Sequence, residues 1–479
     1  MTKRRDFIKK SVLSSAGIAI GSMGFNSKTD NPGEAGRVHM EPLRREHVSL
    51  REIQKKISDA LTDVEVIDPH CHLNASRPAA SSLADIVLYH HVWIELVSAG
   101  MGQYEVTKAG LPQELNDPQM EPMERVRRAL PYLPRIRNTT VAMLLRWLLA
   151  DLYGAKDGLQ LSGLDALAVK VENRGSDAAW PERFYTDICG IEKALTVESL
   201  GQKPFARLAG ADERLRMLNI ADGKAGTREC LQRMTGVLGR DVRTAADYRD
   251  FAAKLAVDPS RGSPLFLGAW MPAFFTEELA EEKAVTRIIG KAWNGEPLSH
   301  EEMGSVSYFG MVAALEALRS TPVRTIQVIV GAEVILPHRS VTHWSGRFCG
   351  AATRLASHFE DFRFNLSAAS DAYTQDIAVM AKHIPNVSVA GYWWHTMYPY
   401  YIRKSIETRL DIVPVTKIIA FFSDAYHCEW CWPKLRLVKQ IMGEVLVDRV
   451  NRGMYDLDTA LSIIPTIFHD APKEIYGIS

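Results

Sequence analysis

Val64-Glu65-Val66-Ile67-Asp68-Pro69-His70-Cys71-His72-Leu73 is the stretch from which the rest of the chain can be read. It opens as a short apolar run with β-branched residues, the mark of a buried strand. Residues two apart on a strand face the same side, so the rings of His70 and His72 project together from its C-terminal end. Pro69 has no N–H to give to a ladder, so the strand is expected to finish there. Two imidazoles on one side of a strand end supply half of a metal site. Two histidines that merely fill space at a strand end would look the same locally, and the remainder of the chain has to decide.

The other half of such a site lies near the far end. Lys417-Ile418-Ile419-Ala420-Phe421-Phe422 is an apolar run that stops at Ser423-Asp424. When a barrel of parallel strands closes, its last strand lies beside its first, and Asp424 can then reach the ion held by His70 and His72. Two neutral imidazoles and one carboxylate suit a divalent first-row ion, zinc first, manganese or iron next. The competing role for Asp424 is the N-cap of a helix expected over 433–447, and Pro433, nine residues on, weakens it.

Strand candidates between these ends are Glu192–Val197, Pro264–Ala269, Arg324–Val330, Phe362–Ser367 and Val387–Gly391. Most are followed by a polar or Gly-containing loop and a helix-like stretch, and this alternation predicts a parallel sheet in an α/β, (β/α)8 TIM-type barrel. Seven of eight strands can be placed in this way; the second cannot. No Walker loop or Gly-x-Gly-x-x-Gly follows the leader, which disfavours a nucleotide-binding sheet. Leu50, Ile53, Ile57 and Leu61 recur at helical spacing ahead of the first strand. After it, Ser82–Leu88 leads into a helix-like run from Tyr89 to Gly100 and Met101. Residues 102–180 read as mostly helical, clearest at Met123–Leu133 and Thr140–Tyr153, an insertion long enough to serve as a lid.

Lys plus Arg and Asp plus Glu both number 57, so nothing in the charge balance calls for nucleic acid or an acidic membrane surface as a partner. The expected partner is a small carbohydrate, with self-association into a homo-oligomer left open. Residues 1–30 differ from the rest. Lys3-Arg4-Arg5-Asp6-Phe7-Ile8-Lys9-Lys10 precedes a short, weakly apolar Gly/Ala/Ser-rich run, the pattern of twin-arginine export. Export to the periplasm follows from it, or membrane anchoring if the leader is retained, since no clean Ala-x-Ala cleavage site follows. Residues 31–60 then read as linker and leading helix, and 61–479 as the metal-dependent barrel. The six cysteines are scattered and form no dense disulfide framework; Cys428 and Cys431 read as ordinary thiols.

Several motifs in order resemble the uronate isomerases of the amidohydrolase superfamily. They are His70-Cys71-His72-Leu73, Trp93 with Ser98-Ala99-Gly100, Gln327 to Gly331-Ala332, Gly391-Tyr392-Trp393-Trp394, Ser423-Asp424 and Asp470-Ala471. The likeness runs, with gaps, from about Val64 to Tyr476. It implies a (β/α)8 fold, aldose-to-ketose conversion of a hexuronic acid, metal binding by His70, His72 and Asp424, and a place for His90 near the substrate.

The departures concern the groups that handle substrate and protons. Where the family has Tyr after the histidine matching His90, this chain has His91. A family His on the fifth strand is replaced by Ile329, and the Phe after the double Trp by His395. The Asp-His pair that the family carries after its fourth strand is absent near Gly268-Ala269-Trp270. The Arg two residues after the metal-binding Asp is replaced by Tyr426, which cannot match a guanidinium fork on a carboxylate. Arg339 and Arg347 are the nearest substitutes by chain position. His90, His91 and His395 are the candidate bases, because imidazole titrates near neutral pH, with Asp424 beside them; Tyr426, Trp394 and Arg339 are the candidate substrate contacts. Three functions follow: an isomerase with altered substrate; a hydrolase or lyase in which Asp424 shuttles a proton for a metal-activated water; or a carbohydrate-binding protein without catalysis.

Overall fold

The computed structural model describes residues 48–108, 120–156, 158–197, 206–211, 218, 227–257, 267–270, 278–330, 346–392 and 396–478. The first strand, β1 (Val66–Cys71), is buried along its whole length and runs past Pro69, where the sequence suggested an end. Pairing explains the difference. Asp68 opposes Ala194 and Cys71 opposes Thr196, so three steps on β1 match two on its neighbour β2 (Ile191–Thr196). The extra residue makes a bulge, and a bulge is where a strand tolerates a proline.

Eight strands, all parallel to their neighbours, are described. β1, β2 and β3 (Leu208–Gly210) form one sheet. β4 (Leu267–Trp270), β5 (Thr325–Val330), β6 (Arg363–Ala368), β7 (Val387–Ala390) and β8 (Ile418–Ile419) form the other, in chain order. Among the described residues no ladder joins β3 to β4 or β8 to β1. The barrel expectation therefore holds as a TIM-barrel-like α/β fold built from two arcs. The strand missed by sequence is the third, not the second: Leu208–Gly210 is three residues long and has no β-branched residue. β8 is shorter than its apolar run because the chain beyond it bonds elsewhere. Ala420 N–H goes to the Ile467 carbonyl, and Asp424 N–H to the His70 carbonyl at 2.9 Å. His72 N–H returns a bond to the Ala425 carbonyl at 2.8 Å, so the ends of β1 and of the post-β8 segment are held together.

Helices surround the strands. α1 (Leu50–Asp63) starts at Ser49, whose side chain accepts from Glu52 N–H, and buries Ile53, Ile57 and Leu61. Between β1 and β2 come α2 (Leu83–Val87), α3 (His90–Ser98), α4 (Pro122–Ala129), α5 (Thr140–Tyr153) and α6 (Leu164–Gly175), the last three within the 102–180 stretch expected to be helical. The run from Ser82 to Met101 is two helices, broken at Leu88-Tyr89. After α4 the chain tightens into a 3₁₀ turn, Leu130–Ile136, which contains Pro131 and Pro134. Then come α7 (Thr227–Leu238) and α8 (Ala245–Val257), followed after β4 by α9 (Glu282–Trp293) and α10 (His300–Leu318). Single helices follow the next three strands: α11 (Gly346–His358), α12 (Thr374–His383) and α13 (Pro399–Ile412). After β8 come α14 (Cys431–Asn451), against which α1 packs, α15 (Leu457–Pro465) and α16 (Ala471–Tyr476). No helix among the described residues is long and apolar enough to cross a membrane.

One feature of register matters for the site. Gln327 on β5 pairs with Asn365 on β6, which pairs with Ser388 on β7. Paired residues of parallel strands point to the same side, so these three polar side chains form a row across β5, β6 and β7.

Candidate metal centre

His70 is the last residue but one of β1, His72 lies just beyond its end, and Asp424 arrives from the segment after β8. Asp424 has φ +49°, a left-handed backbone that Asp tolerates better than most residues. Its N–H is fixed by His70, and its carbonyl accepts from the Tyr89 hydroxyl at 2.8 Å and from Lys434 Nζ at 3.4 Å. The backbone strain, of order 1–3 kcal/mol, is thus held by these surrounding bonds.

The three side chains converge. His70 Nε2 and His72 Nε2 each lie 3.4 Å from Asp424 Oδ1, and the two rings stand nearly perpendicular with centroids 5.2 Å apart. A direct charge-assisted hydrogen bond would bring such atoms to about 2.7–2.9 Å. Ligands about 2.1 Å from a tetrahedral ion are spaced about 3.4 Å apart. The spacing therefore fits donors arranged around a small divalent cation better than donors bonded to one another.

The far side of His70 supports the same conclusion. Its Nδ1 lies 2.7 Å from Gln327 Oε1, while Gln327 Nε2 donates to the Tyr476 hydroxyl at 2.9 Å. Tyr476 donates to Asn365 Oδ1 at 2.7 Å, and Asn365 Nδ2 to Ser388 Oγ at 2.8 Å. With the two amides oriented in this way every bond of the chain has its donor and acceptor, and the Gln327 oxygen facing His70 can only accept. His70 therefore carries its proton on Nδ1 and presents a bare Nε2 towards Asp424, the tautomer a metal requires.

Electrostatics agree. Burial pushes the Asp424 carboxyl up, but the adjoining His70 and His72 rings, and after them the charge of Lys434, outweigh it and hold the group well below the usual carboxylate range. Lys434, buried on α14, donates to the Ser423 carbonyl at 2.6 Å and to the Tyr89 hydroxyl at 2.9 Å. Burial lowers its pKa while the charge of Asp424 acts to raise it. Burial pushes the Asp68 carboxyl up to about 6, although Oδ1 accepts from Ser423 N–H at 2.8 Å and His70 N–H at 3.4 Å.

His90 and His91, the first two residues of α3, are also buried and face the same carboxylate. Burial first, and His91 next, hold His90 well below the ordinary imidazole value, so it is neutral. Tyr426 stacks on His72 with centroids 4.6 Å apart and planes 7° from parallel, and meets the His90 ring edge-on at 5.4 Å. The structure thus brings together His70, His72, Asp424, His90, His91 and Tyr426. Trp394, His395 and Arg339 lie outside the described residues, as do residues 1–47. Ile329 is buried among apolar neighbours on β5. Cys428 and Cys431 are free, buried thiols. Sequence reasoning missed Lys434, Tyr89 and Asp68, and gave Gln327 no role; for Asp68 and Gln327 the signal available was a polar residue inside an apolar strand run.

No protein-family profile matches the chain. The uronate isomerase of Thermotoga petrophila is 18% identical over 217 residues, 41% of this chain and 46% of that protein. The match spans about half the length of the curated relatives it reaches. The structural likeness runs much further. The uronate isomerase of Thermotoga maritima superposes with a TM-score of 0.74 at 15% identity, covering 88% of this chain and 97% of that one. The glucuronate isomerase of Caulobacter crescentus gives 0.71 at 16% identity, covering 91% and 95%. In fold, this chain is a divergent counterpart of the uronate isomerases.

Proposed function

We propose that the protein is a metal-dependent aldose–ketose isomerase of uronate-isomerase type, with a substrate preference shifted away from the uronate carboxylate. The observation that carries the metal is the pair of 3.4 Å spacings from His70 and His72 to Asp424, with the His70 tautomer set by Gln327. A divalent ion, zinc first and manganese or iron next, supplies a Lewis acid that polarises a sugar oxygen. The two arcs of strands are read as one eight-stranded barrel with the site at its C-terminal end.

His70, His72 and Asp424 hold the ion. His90, neutral by burial, accepts the proton that moves between adjacent carbons, with His91 and His395 as further imidazoles in the same role. The Tyr426 ring flanks His72 and offers one neutral hydroxyl to the sugar, with Trp394 and Arg339 as further substrate contacts. A charge-assisted hydrogen bond is about twice as strong as a neutral one, and a carboxylate desolvated without a cation is costly. A sugar or polyol end is therefore the better fit beside Tyr426. The test is turnover of matched substrates that differ only at the acid carbon, aldose against glucuronate or galacturonate, by protein of known metal content. Preference for the aldose is expected; turnover of the uronate at the rate of a dedicated enzyme refutes the substrate assignment. We also propose that the Arg4-Arg5 leader directs the folded protein to the periplasm, or holds it at the membrane if retained.

A further inference from the structure

Around Asp424 there are more ligand atoms than one ion needs. His90, His91 and Asp424 each offer one ligand atom, and these atoms lie within 4.8 Å of one another. A point central to three atoms so spaced is at most about 2.8 Å from each, and small side-chain adjustments bring that to the 2.0–2.2 Å of imidazole and carboxylate ligands. His90, His91 and Asp424 are 1%, 7% and 5% exposed. The rings are held in place as well as buried: the Tyr89 ring lies 4.4 Å from His90 and 5.6 Å from His91, and Tyr426 lies against His90. Tyr89 is itself pinned by stacking on Trp430 at 4.4 Å and by its hydrogen bond to the Asp424 carbonyl.

We infer that His90, His91 and Asp424 form a second divalent-cation site, adjoining the His70–His72–Asp424 site and sharing its carboxylate. The inference rests on the proposed first site and adds a second ion to it. A carboxylate has two oxygens and about four lone-pair directions, enough to bridge two ions. Two opposing effects set the order of filling. The second ion meets the charge of the first, and it sits by the N-terminal end of α3, where the helix dipole is positive. Each tenfold loss of affinity corresponds to about 1.4 kcal/mol, and the second site is at least tenfold weaker than the first. Filling it turns His90 and His91 from proton acceptors into ligands, so the second ion inhibits.

The experiment is a titration of the full chain, stripped with chelator, with Mn2+. Bound metal is measured after gel filtration and spin coupling by electron paramagnetic resonance. Two equivalents are expected, the second accompanied by the spectrum of an exchange-coupled pair. His90→Ala/His91→Ala, and the milder His91→Asn with its melting curve as a folding control, should keep the tight equivalent and lose the coupled signal. Saturation of the unaltered protein at one equivalent overturns the inference, as does a coupled pair that survives in His90→Ala/His91→Ala. Loss of the tight equivalent in His70→Ala/His72→Ala tests the first site separately; unchanged tight binding there refutes the first site.

Discussion

Gln327→Leu is the sharpest test of the metal centre, because it leaves all three proposed ligands in place. Leucine keeps most of the volume and removes both hydrogen-bonding groups of the amide. The His70 Nδ1–H then loses its 2.7 Å acceptor, and the Tyr476 hydroxyl loses a donor at 2.9 Å while keeping its own bond to Asn365. Gln327 is fully buried, so water cannot take its place. An unpaired buried N–H costs about 1–3 kcal/mol, which should appear as a lower melting temperature. With the tautomer no longer fixed, His70 must pay to present a bare Nε2. Removing such a supporting partner typically lowers metal affinity 10–100-fold, which is about 1.4–2.7 kcal/mol. The assay is competition for zinc or manganese against a fluorescent chelator, alongside a melting curve of the apo protein. Gln327→Glu restores the acceptor and should recover affinity. If Gln327→Leu binds metal within about threefold of the unaltered protein while remaining folded, the hydrogen bond does not orient His70 and the tautomer argument fails.

Three further outcomes are expected. In Gly391→Ala, at φ +51°, the new Cβ would stand 2.0 Å from the Phe422 ring, which itself packs 5.5 Å from His70; a loss of about 2–4 kcal/mol in denaturant melts, with weaker metal binding, should follow. Burial pushes the Glu95 carboxyl up to about 7, against the hydrogen bond from Thr139. A raised folded pKa means the folded chain binds the proton more tightly. The stabilisation is present below the unfolded value of 4.5 and is lost as pH rises towards 7. Glu95→Gln should therefore gain stability relative to the unaltered protein at pH 8, by about 1–2 kcal/mol after discounting for partial exposure, and lose that advantage at pH 5; equal pH profiles would contradict the assignment. Replacing Arg4 and Arg5 by Lys keeps the charge and should leave the protein in the cytoplasm on fractionation, whereas normal export would remove the twin-arginine proposal.

The parts of the fold legible in sequence were those governed by local periodicity. His70 and His72 could be paired because a strand alternates faces, and α1 because Ile53, Ile57 and Leu61 recur at helical spacing. Asp424 could be joined to them only through a rule of topology. What stayed hidden depends on contacts across the chain. β3 is too short to carry a pattern. The end of β8 is set by where Ala420 and Asp424 send their N–H groups, which no local window contains. The polar row from Gln327 through Asn365 to Ser388 exists only once three strands are in register. Lys434 reads as one more charge near a helix start, yet it is buried against the carbonyl of Ser423.

The wiring of Tyr476 into the polar row has a consequence for biosynthesis. His70 is made early and Tyr476 is 406 residues later (476 − 70 = 406), and the two are linked through the single side chain of Gln327. At roughly 5–20 residues per second, a ribosome needs on the order of 20–80 s to cover that distance. For most of this interval the first histidines of the site exist without Gln327, without Asp424 or without both, the groups proposed to set the His70 proton and to complete the ligand set. On the proposed reading of the site, the emerging chain offers at most a loose His-x-His to any passing cation, and selective loading waits until α16 has bonded to β5 and β6 through Tyr476.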